Sequence, residues 1–245
     1  AFKTRYDAVF IGCGHGRAIN LQIEGAQKAI NGLQFLYNTR TRQEMSLNPK
    51  GTAAVIGGGN TAIDVARTLV RLEIKPIIVY RRRRRDMPAF SPEVQMALDE
   101  GVTLKTLLTP VAIEDAGRYS ADHRTSTSYA VTLQKMKTSA TEIEGRARVV
   151  PDGDKTETLE VDHIFCAIGA EPEVPWDRMP AGESPHLDLS HCRLMDDDIP
   201  IACGGDLTNR VKSVADAIAS GKQAAMAIDT YFKSGWDAVK KTVTD

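Results

Sequence analysis

The chain has 245 residues, 42% apolar and 26% charged, and carries a formal net charge of −1. Such a composition suits a globular protein of one large or two modest domains, and the near-zero charge gives no bulk attraction for nucleic acid or an anionic membrane. No apolar run approaches the ~18 residues of a membrane span and no signal-peptide pattern opens the chain. The four cysteines, Cys13, Cys166, Cys192 and Cys203, are scattered, with no Cys-x-x-Cys pair to suggest zinc or a dithiol centre. Three of them stand beside apolar runs, so buried, inert thiols and a reducing, cytoplasmic setting are expected.

In chain order, Asp7 to Ile11 reads as a buried strand that ends in the turn Gly12-Cys13-Gly14-His15-Gly16-Arg17. This is not a dinucleotide fingerprint. Arg17 stands at the third glycine position, and Asn20 to Gly25 lacks the apolar spacing of a helix. His15 is accordingly a turn residue rather than a ligand or base. Ala29, Ile30, Leu33, Leu36 and Tyr37 predict a helix over residues 26–38, and Thr39 to Thr52 reads as a polar crossing linker.

The best-defined stretch follows. An apolar run, Ala53 to Ile56, ends in Gly57-Gly58-Gly59-Asn60-Thr61-Ala62, and a helix with an apolar face of Ala62, Ile63, Ala66, Leu69 and Val70 begins at once. Pro76 to Tyr80 is the next parallel strand. A dinucleotide site needs glycine where the strand turns, a second where backbone approaches the pyrophosphate, and a small residue where helix meets strand. Gly57, Gly59 and Ala62 fill those places, with Gly58 between them. Asn60 and Thr61 put backbone N–H groups at the helix start, where the dipole favours phosphate.

The second strand selects the nucleotide. An NAD site usually ends this strand in a carboxylate for the ribose 2′-hydroxyl, whereas here Arg81 to Arg85 follow Tyr80 and no carboxylate comes before Asp86. Guanidinium groups match a 2′-phosphate, so NADP(H) is the expected cofactor, with Arg81 and Arg82 reaching the phosphate. The competing readings of the run are a solvated basic loop and a nucleic-acid patch.

Ser91-Pro92 offers an N-cap and first-turn proline for a short helix that Gly101 ends. Val102 to Glu114, Ser128 to Lys137, Ala147 to Pro151 and Thr158 to Ala167 predict an antiparallel meander, broken by turns such as Pro151-Asp152-Gly153-Asp154 and returning to a buried strand, His163 to Ile168. Pro172 to Asp198 is a long irregular connection. Ile199 to Cys203 is a short buried strand that closes on Gly204-Gly205-Asp206, and a last helix over Ser213 to Phe232 is rich in small residues. The fold class is therefore α/β, with a Rossmann-like NAD(P)-binding domain that carries an antiparallel meander.

Several of these motifs together resemble the small (beta) subunit of NADPH-dependent glutamate synthase and related FAD/NAD(P)-dependent pyridine nucleotide oxidoreductases. They are Gly57 to Ala62; Tyr80-Arg81-Arg82 with Met87-Pro88-Ala89 and Glu93; Ala167-Ile168-Gly169 with Pro172; and Gly204-Gly205-Asp206 with Val214, Ala217, Ile218 and Gly221. Tyr6-Asp7-Ala8-Val9 with Gly12 and Gly14 resembles the family's strand ahead of the NADPH domain. The match runs nearly end to end, in family order and spacing.

The resemblance implies an NADPH-binding domain over 47–170 inserted into a partial FAD-binding domain whose segments are 1–46 and 171–245. It implies cofactor contacts at Ile168, Gly169, Gly205, Asp206 and Val214, with Asp206 on the FAD ribityl chain and backbone near Val214 facing the flavin ring or pyrophosphate. The implied chemistry is hydride transfer from NADPH to FAD, in which the cofactors carry the reaction. No catalytic side chain and no metal ligand is nominated.

The family's FAD fingerprint and the iron–sulfur segment of many relatives do not occur in these 245 residues, and Asn209-Arg210-Val211-Lys212 stands where relatives usually have another glycine. The chain is expected to be a piece of a larger protein or a truncated relative, with FAD belonging to the complete protein. Its expected partner is the remainder of the FAD domain or an electron-transfer subunit of iron–sulfur or amidotransferase type, with neither nucleic acid nor membrane. An NADPH-binding module without turnover and a thioredoxin-reductase-like enzyme are the alternatives.

Overall fold

The computed structural model describes residues 5–117, 128–143, 146–173, 186–188, 192–195, 199–209 and 212–244. Most of the expected irregular connection, with Trp176, lies outside the described residues, as do Arg210 and Val211. In chain order the elements are β1 (Val9–Ile11), β2 (Arg17–Ala18), β3 (Ile30–Asn31), α1 (Gly32–Arg40), β4 (Thr52–Ile56), α2 (Asn60–Arg71), β5 (Lys75–Tyr80), α3 (Ser91–Asp99), β6 (Thr103–Thr106) and β7 (Leu108–Asp115). There follow β8 (Tyr129–Ile143), β9 (Arg146–Val161), β10 (His163–Cys166), β11 (Ala170–Glu171), β12 (His186–Asp188), β13 (Cys192–Met195), β14 (Ile201–Gly204) and α4 (Val214–Thr244). The chain divides into two compact units, one of residues 18–169 and one of residues 1–17 with 170–245. Residues 18–46, expected with the FAD-type segments, thus pack in the same unit as 47–169.

The unit of residues 18–169 is built on a parallel sheet ordered β3-β10-β4-β5-β6. Alternation along β4 assigns its side chains to two cores. Ala53 and Val55 face α1, α2 and α3 through Phe35, Val65, Leu69 and Val94. Ala54 and Ile56 face Leu108, Ile113, Val131 and Leu133 of the antiparallel sheet β7-β8-β9. Burial on both faces explains why β4 reads as a continuous apolar run rather than an alternating one. Phe35 and Phe165 meet with ring centroids 4.7 Å apart, both fully buried.

The elements depart from the expected ones at several places. The first helix starts at Gly32 rather than residue 26, because Ile30 and Asn31 pair with β10 and the Asn31 side chain then caps the helix by accepting from Gln34 N–H at 3.1 Å. Phe90, not Ser91, is the cap residue of α3. The stretch Val102 to Glu114 is two strands. β6 pairs parallel to β5, and the chain turns at Leu107, with φ +57°, before β7 enters the meander. Pro151 to Asp154 does not end a strand. It forms part of a bulge in β9, between the Gln134–Thr156 and Met136–Pro151 pairs, and Gln134 Nε2 donates to the carbonyls of Gly153 and Lys155 at 2.9 and 3.0 Å.

In the other unit β1 pairs parallel with β14, which continues antiparallel into β13 and β12. β1 is an edge strand with Phe10 45% exposed, and so not the buried strand expected. The core lies between this sheet and α4, where Leu194 and Ala202 meet Ala224, Ala227 and Val239. α4 runs past Phe232 to Thr244 and is interrupted at Gly235, whose φ and ψ are 74° and −178°. Trp236, half-buried, packs on Tyr231 with centroids 4.9 Å apart. Among the described residues no helix is long and apolar enough to cross a membrane.

Candidate nucleotide site

A cleft of about 590 Å³ opens at the carboxyl edge of the parallel sheet, wholly within residues 18–169. In open α/β sheets this edge is where ligands bind. Its floor is the turn after β4. Gly57 has φ +144°, and a Cβ there would lie 2.2 Å from the carbonyl oxygen of Ala167, so only glycine fits the turn. A Cβ at Gly58 would lie 2.4 Å from the Tyr80 ring. Gly59 is the N-cap of α2 and Asn60 its first residue, so the first N–H groups of the helix belong to this turn.

The sequence-predicted residues Gly57, Gly58, Gly59, Thr61, Arg81, Arg82, Ile168 and Gly169 all line this cleft. Asn60 does not. Its side-chain oxygen turns away to accept from Phe90 N–H at 2.9 Å, and only its place at the head of α2 serves the turn. The arginine run separates by partner. Arg83 forks onto Asp86 and Arg84 Nη2 donates to Gln95 Oε1 at 2.7 Å, while Arg81 and Arg82 line the cleft. Arg82 Nε is buried with no hydrogen-bond partner among the described residues, which leaves this guanidinium a donor to satisfy.

One wall of the cleft was not anticipated from sequence. Ile19, Asn20, Leu21, Gln22 and Ile23 line it together with Leu108, Thr109 and Pro110, and Leu21 and Ile23 pack against the core cluster that contains Leu108. Ile19 N–H donates to the Gly169 carbonyl at 3.0 Å, and a parallel bridge joins Glu24 to Ala112. No periodicity marks a segment held by such single long-range bonds.

Gly205, Asp206 and Val214 lie in the other unit, around the start of α4. Gly205, with φ +66°, opens a short turn, and its Cα faces Ala217, whose Cβ would be 3.9 Å from an added Cβ. Lys212 Nζ donates to the Asp206 carbonyl oxygen. Ser213 Oγ accepts from Asp216 N–H at 3.1 Å and bonds the Asp216 carboxylate, so the helix start is capped internally while Val214 stays 78% exposed. His15 Nδ1 contacts the Ala170 carbonyl at 2.9 Å. The four thiols are free. Burial lifts the pKa of Cys166 and Cys203 and, with Cys203 beside it, pushes Cys192 up to about 11.

The sequence profile of the pyridine nucleotide-disulphide oxidoreductases matches residues 1–178. The chain belongs to that family. Among the oxidoreductases similar to it, the NADP(+)-dependent formate dehydrogenase subunit beta of Moorella thermoacetica is 30% identical over 238 residues, 94% of this chain and 32% of the relative. The glutamate synthase (NADPH) small chain of Escherichia coli K12 is 30% identical over 245 residues, 91% of this chain and 50% of the relative. The chain spans half or less of the length of these curated relatives. In fold, the oxidoreductase FprA of Mycobacterium tuberculosis, solved in complex with NADPH, superposes with a TM-score of 0.69 at 16% identity over 98% of this chain and 69% of that one.

Proposed function

We propose that this chain binds NADPH in the cleft of residues 18–169 and passes its hydride to FAD, as part of a glutamate-synthase-small-subunit-like electron-transfer protein. The observation that carries the reading is the separation of the arginines: Arg81 and Arg82 line the cleft, and Arg82 Nε is buried without a hydrogen-bond partner among the described residues. A 2′-phosphate would supply the acceptor, in bidentate fashion to each guanidinium. The Gly57–Gly59 turn and the first N–H groups of α2 would hold the pyrophosphate. Leu21, Ile23 and Ile168 would form the apolar wall that keeps water from the nicotinamide.

Residues in the other unit fit part of an FAD site. Ser213 takes up the Asp216 N–H alone, so the N–H groups of Val214 and Ala215 ahead of it would be the ones to meet a flavin or its phosphates, and Asp206 can accept from a ribityl hydroxyl. When bound, FAD would supply the acceptor for the hydride. The names of the formate dehydrogenase and glutamate synthase relatives, a beta subunit and a small chain, support a partner subunit that takes the electrons onward. Cofactor content of the purified chain tests the reading. A flavin absorbance that survives gel filtration and bleaches on anaerobic addition of NADPH is the expected result.

The turn after β1 favours a second reading, an NADPH-binding module without turnover, because no α-helix begins where it ends to hold a second pyrophosphate. A colourless protein that still binds NADPH would put that reading in place of the first. Cys192 and Cys203 lie near each other, but both are buried and burial raises both thiol pKa values, which speaks against an exposed redox pair of the thioredoxin-reductase kind.

A further inference from the structure

Asp86 is a carboxylate at the end of five consecutive arginines, and binding of a phosphate gives it no evident role. It is 7% exposed and accepts two hydrogen bonds from Arg83, Nε to Oδ2 at 2.6 Å and Nη2 to Oδ1 at 3.0 Å. Its carbonyl oxygen accepts from the Tyr80 hydroxyl at 2.7 Å, and the Tyr80 ring lies over Gly58. Beyond it, Ala89 N–H donates to the Gly58 carbonyl at 3.2 Å and Phe90 N–H to Asn60 Oδ1 at 2.9 Å. On the opposite side, the Arg82 carbonyl accepts from Leu107 N–H at 3.2 Å. Residues 80–90 therefore form a strap bonded across the glycine turn and the head of α2.

We propose that the Arg83–Asp86 pair is a positioning latch for nucleotide specificity: it folds the strap over the glycine turn so that Arg81 and Arg82 face the 2′-phosphate. This inference rests on the reading of the cleft as an NADPH site. It ties the two halves of that site mechanically, since the same strap that carries the arginines is bonded to Gly58 and Asn60 of the pyrophosphate turn. Arg83 and Asp86 touch no ligand in this account. They act through Arg81 and Arg82.

Charge alone predicts the opposite sign for Asp86. Removing a carboxylate near an anion site strengthens anion binding, and exchanging one cation for another leaves it unchanged. The latch predicts weaker binding in both cases, because Asp86→Asn loses the charge-assisted fork and Arg83→Lys keeps the charge but loses the planar bidentate geometry.

The test is calorimetric titration of the full chain with 2′,5′-ADP and with 5′-AMP. For both Asp86→Asn and Arg83→Lys the expected result is 2′,5′-ADP binding weakened roughly tenfold, as for loss of one charge-assisted contact, with 5′-AMP within about twofold of wild type. The double variant should lose no more than the worse single one, as two halves of one device do. Equal losses for both nucleotides, tighter 2′,5′-ADP binding by Asp86→Asn, or no change in Arg83→Lys would each overturn the latch. Arg83 is partly exposed, so Arg83→Lys keeps the test available if Asp86→Asn folds poorly. An Arg81→Ala/Arg82→Ala variant separates the two claims. If it leaves 2′,5′-ADP binding intact, the site reading fails and takes the latch with it. If it abolishes the preference while the latch variants keep it, only the latch fails.

Discussion

The turn after β4 and the turn after β1 both bring glycines to the carboxyl end of a parallel strand, yet their surroundings differ. β4 is central in its sheet, with β10 on one side and β5 on the other, whereas β1 stands at the edge of its sheet among the described residues, next to β14. Gly57 is closed in by the Ala167 carbonyl and its N–H donates to Val79 O at 3.1 Å, while a Cβ on Gly14 would meet nothing within 4 Å among the described residues and one on Gly12 only the Phe10 ring, at 2.8 Å. A helix starts directly after Gly59, whereas only a single 3-10 turn, Ala26–Lys28, comes between Gly16 and α1 at Gly32. A phosphate turn is thus made by what closes around the glycines. The glycines alone do not make one.

The largest expected effect breaks that contrast at its root. Gly57→Ala forces a side chain against the Ala167 carbonyl at a φ that L-residues avoid, and should cost about 3 kcal/mol of stability and abolish nucleotide binding. Gly14→Ala, at φ +64° in open space, should cost about 1 kcal/mol and leave binding unchanged. Denaturant melts with parallel NADPH titrations would compare the two, and equal penalties would dissolve the distinction between the turns.

Next comes the nucleotide preference. Arg81→Ala/Arg82→Ala should weaken NADPH by about 2–3 kcal/mol, roughly 30- to 150-fold, and NADH by no more than about twofold. Equilibrium binding monitored by nicotinamide fluorescence would read both. Asn60→Ala removes the Asn60–Phe90 hydrogen bond and should cost about 1 kcal/mol of stability, with a smaller loss of NADPH affinity. An unchanged melting curve would mean that the strap is not held at that point.

The smallest effect lies at the opposite end of the same strands, where binding should not register it. His163 Nε2 accepts from Asn48 N–H at 2.7 Å, next to Asp162, which bonds Thr52 N–H at 2.7 Å and Asn48 Nδ2 at 3.0 Å. Burial holds the His163 pKa below its ordinary 6.5, against the opposing pull of Asp162. The unfolded chain therefore takes up this proton first as the pH falls. The contribution to stability is complete above about pH 6.5 and is lost as the pH falls from there through the folded-state value. Stability measured from pH 7.5 to pH 5 should decline in wild type and decline less in His163→Gln, with NADPH affinity in the two proteins alike.

Much of this was legible in the sequence, for physical reasons that also mark where legibility stops. β4, α2 and β5 were readable because burial on two faces of a sheet and one face of a helix writes a regular apolar pattern from Ala53 to Tyr80. The boundary between β6 and β7 was not, because parallel and antiparallel strands show the same residues, and the single backbone turn at Leu107 has no side-chain signature. The division of labour among the arginines was only half readable. Position after β5 pointed to Arg81 and Arg82, but the fork of Arg83 on Asp86 and the bond of Arg84 to Gln95 depend on the folding of the strap. The Ile19–Ile23 wall was hidden for the same reason, since its place comes from bonds to Gly169 and a bridge to Ala112 far along the chain.

Side-by-side calorimetric titration of the wild-type chain with NADPH and NADH tests the central claim most directly. The account predicts NADPH binding at least about tenfold tighter than NADH, with one site per chain and 2′,5′-ADP competing for it. Equal affinities for the two nucleotides, or failure of 2′,5′-ADP to displace NADPH, would contradict it.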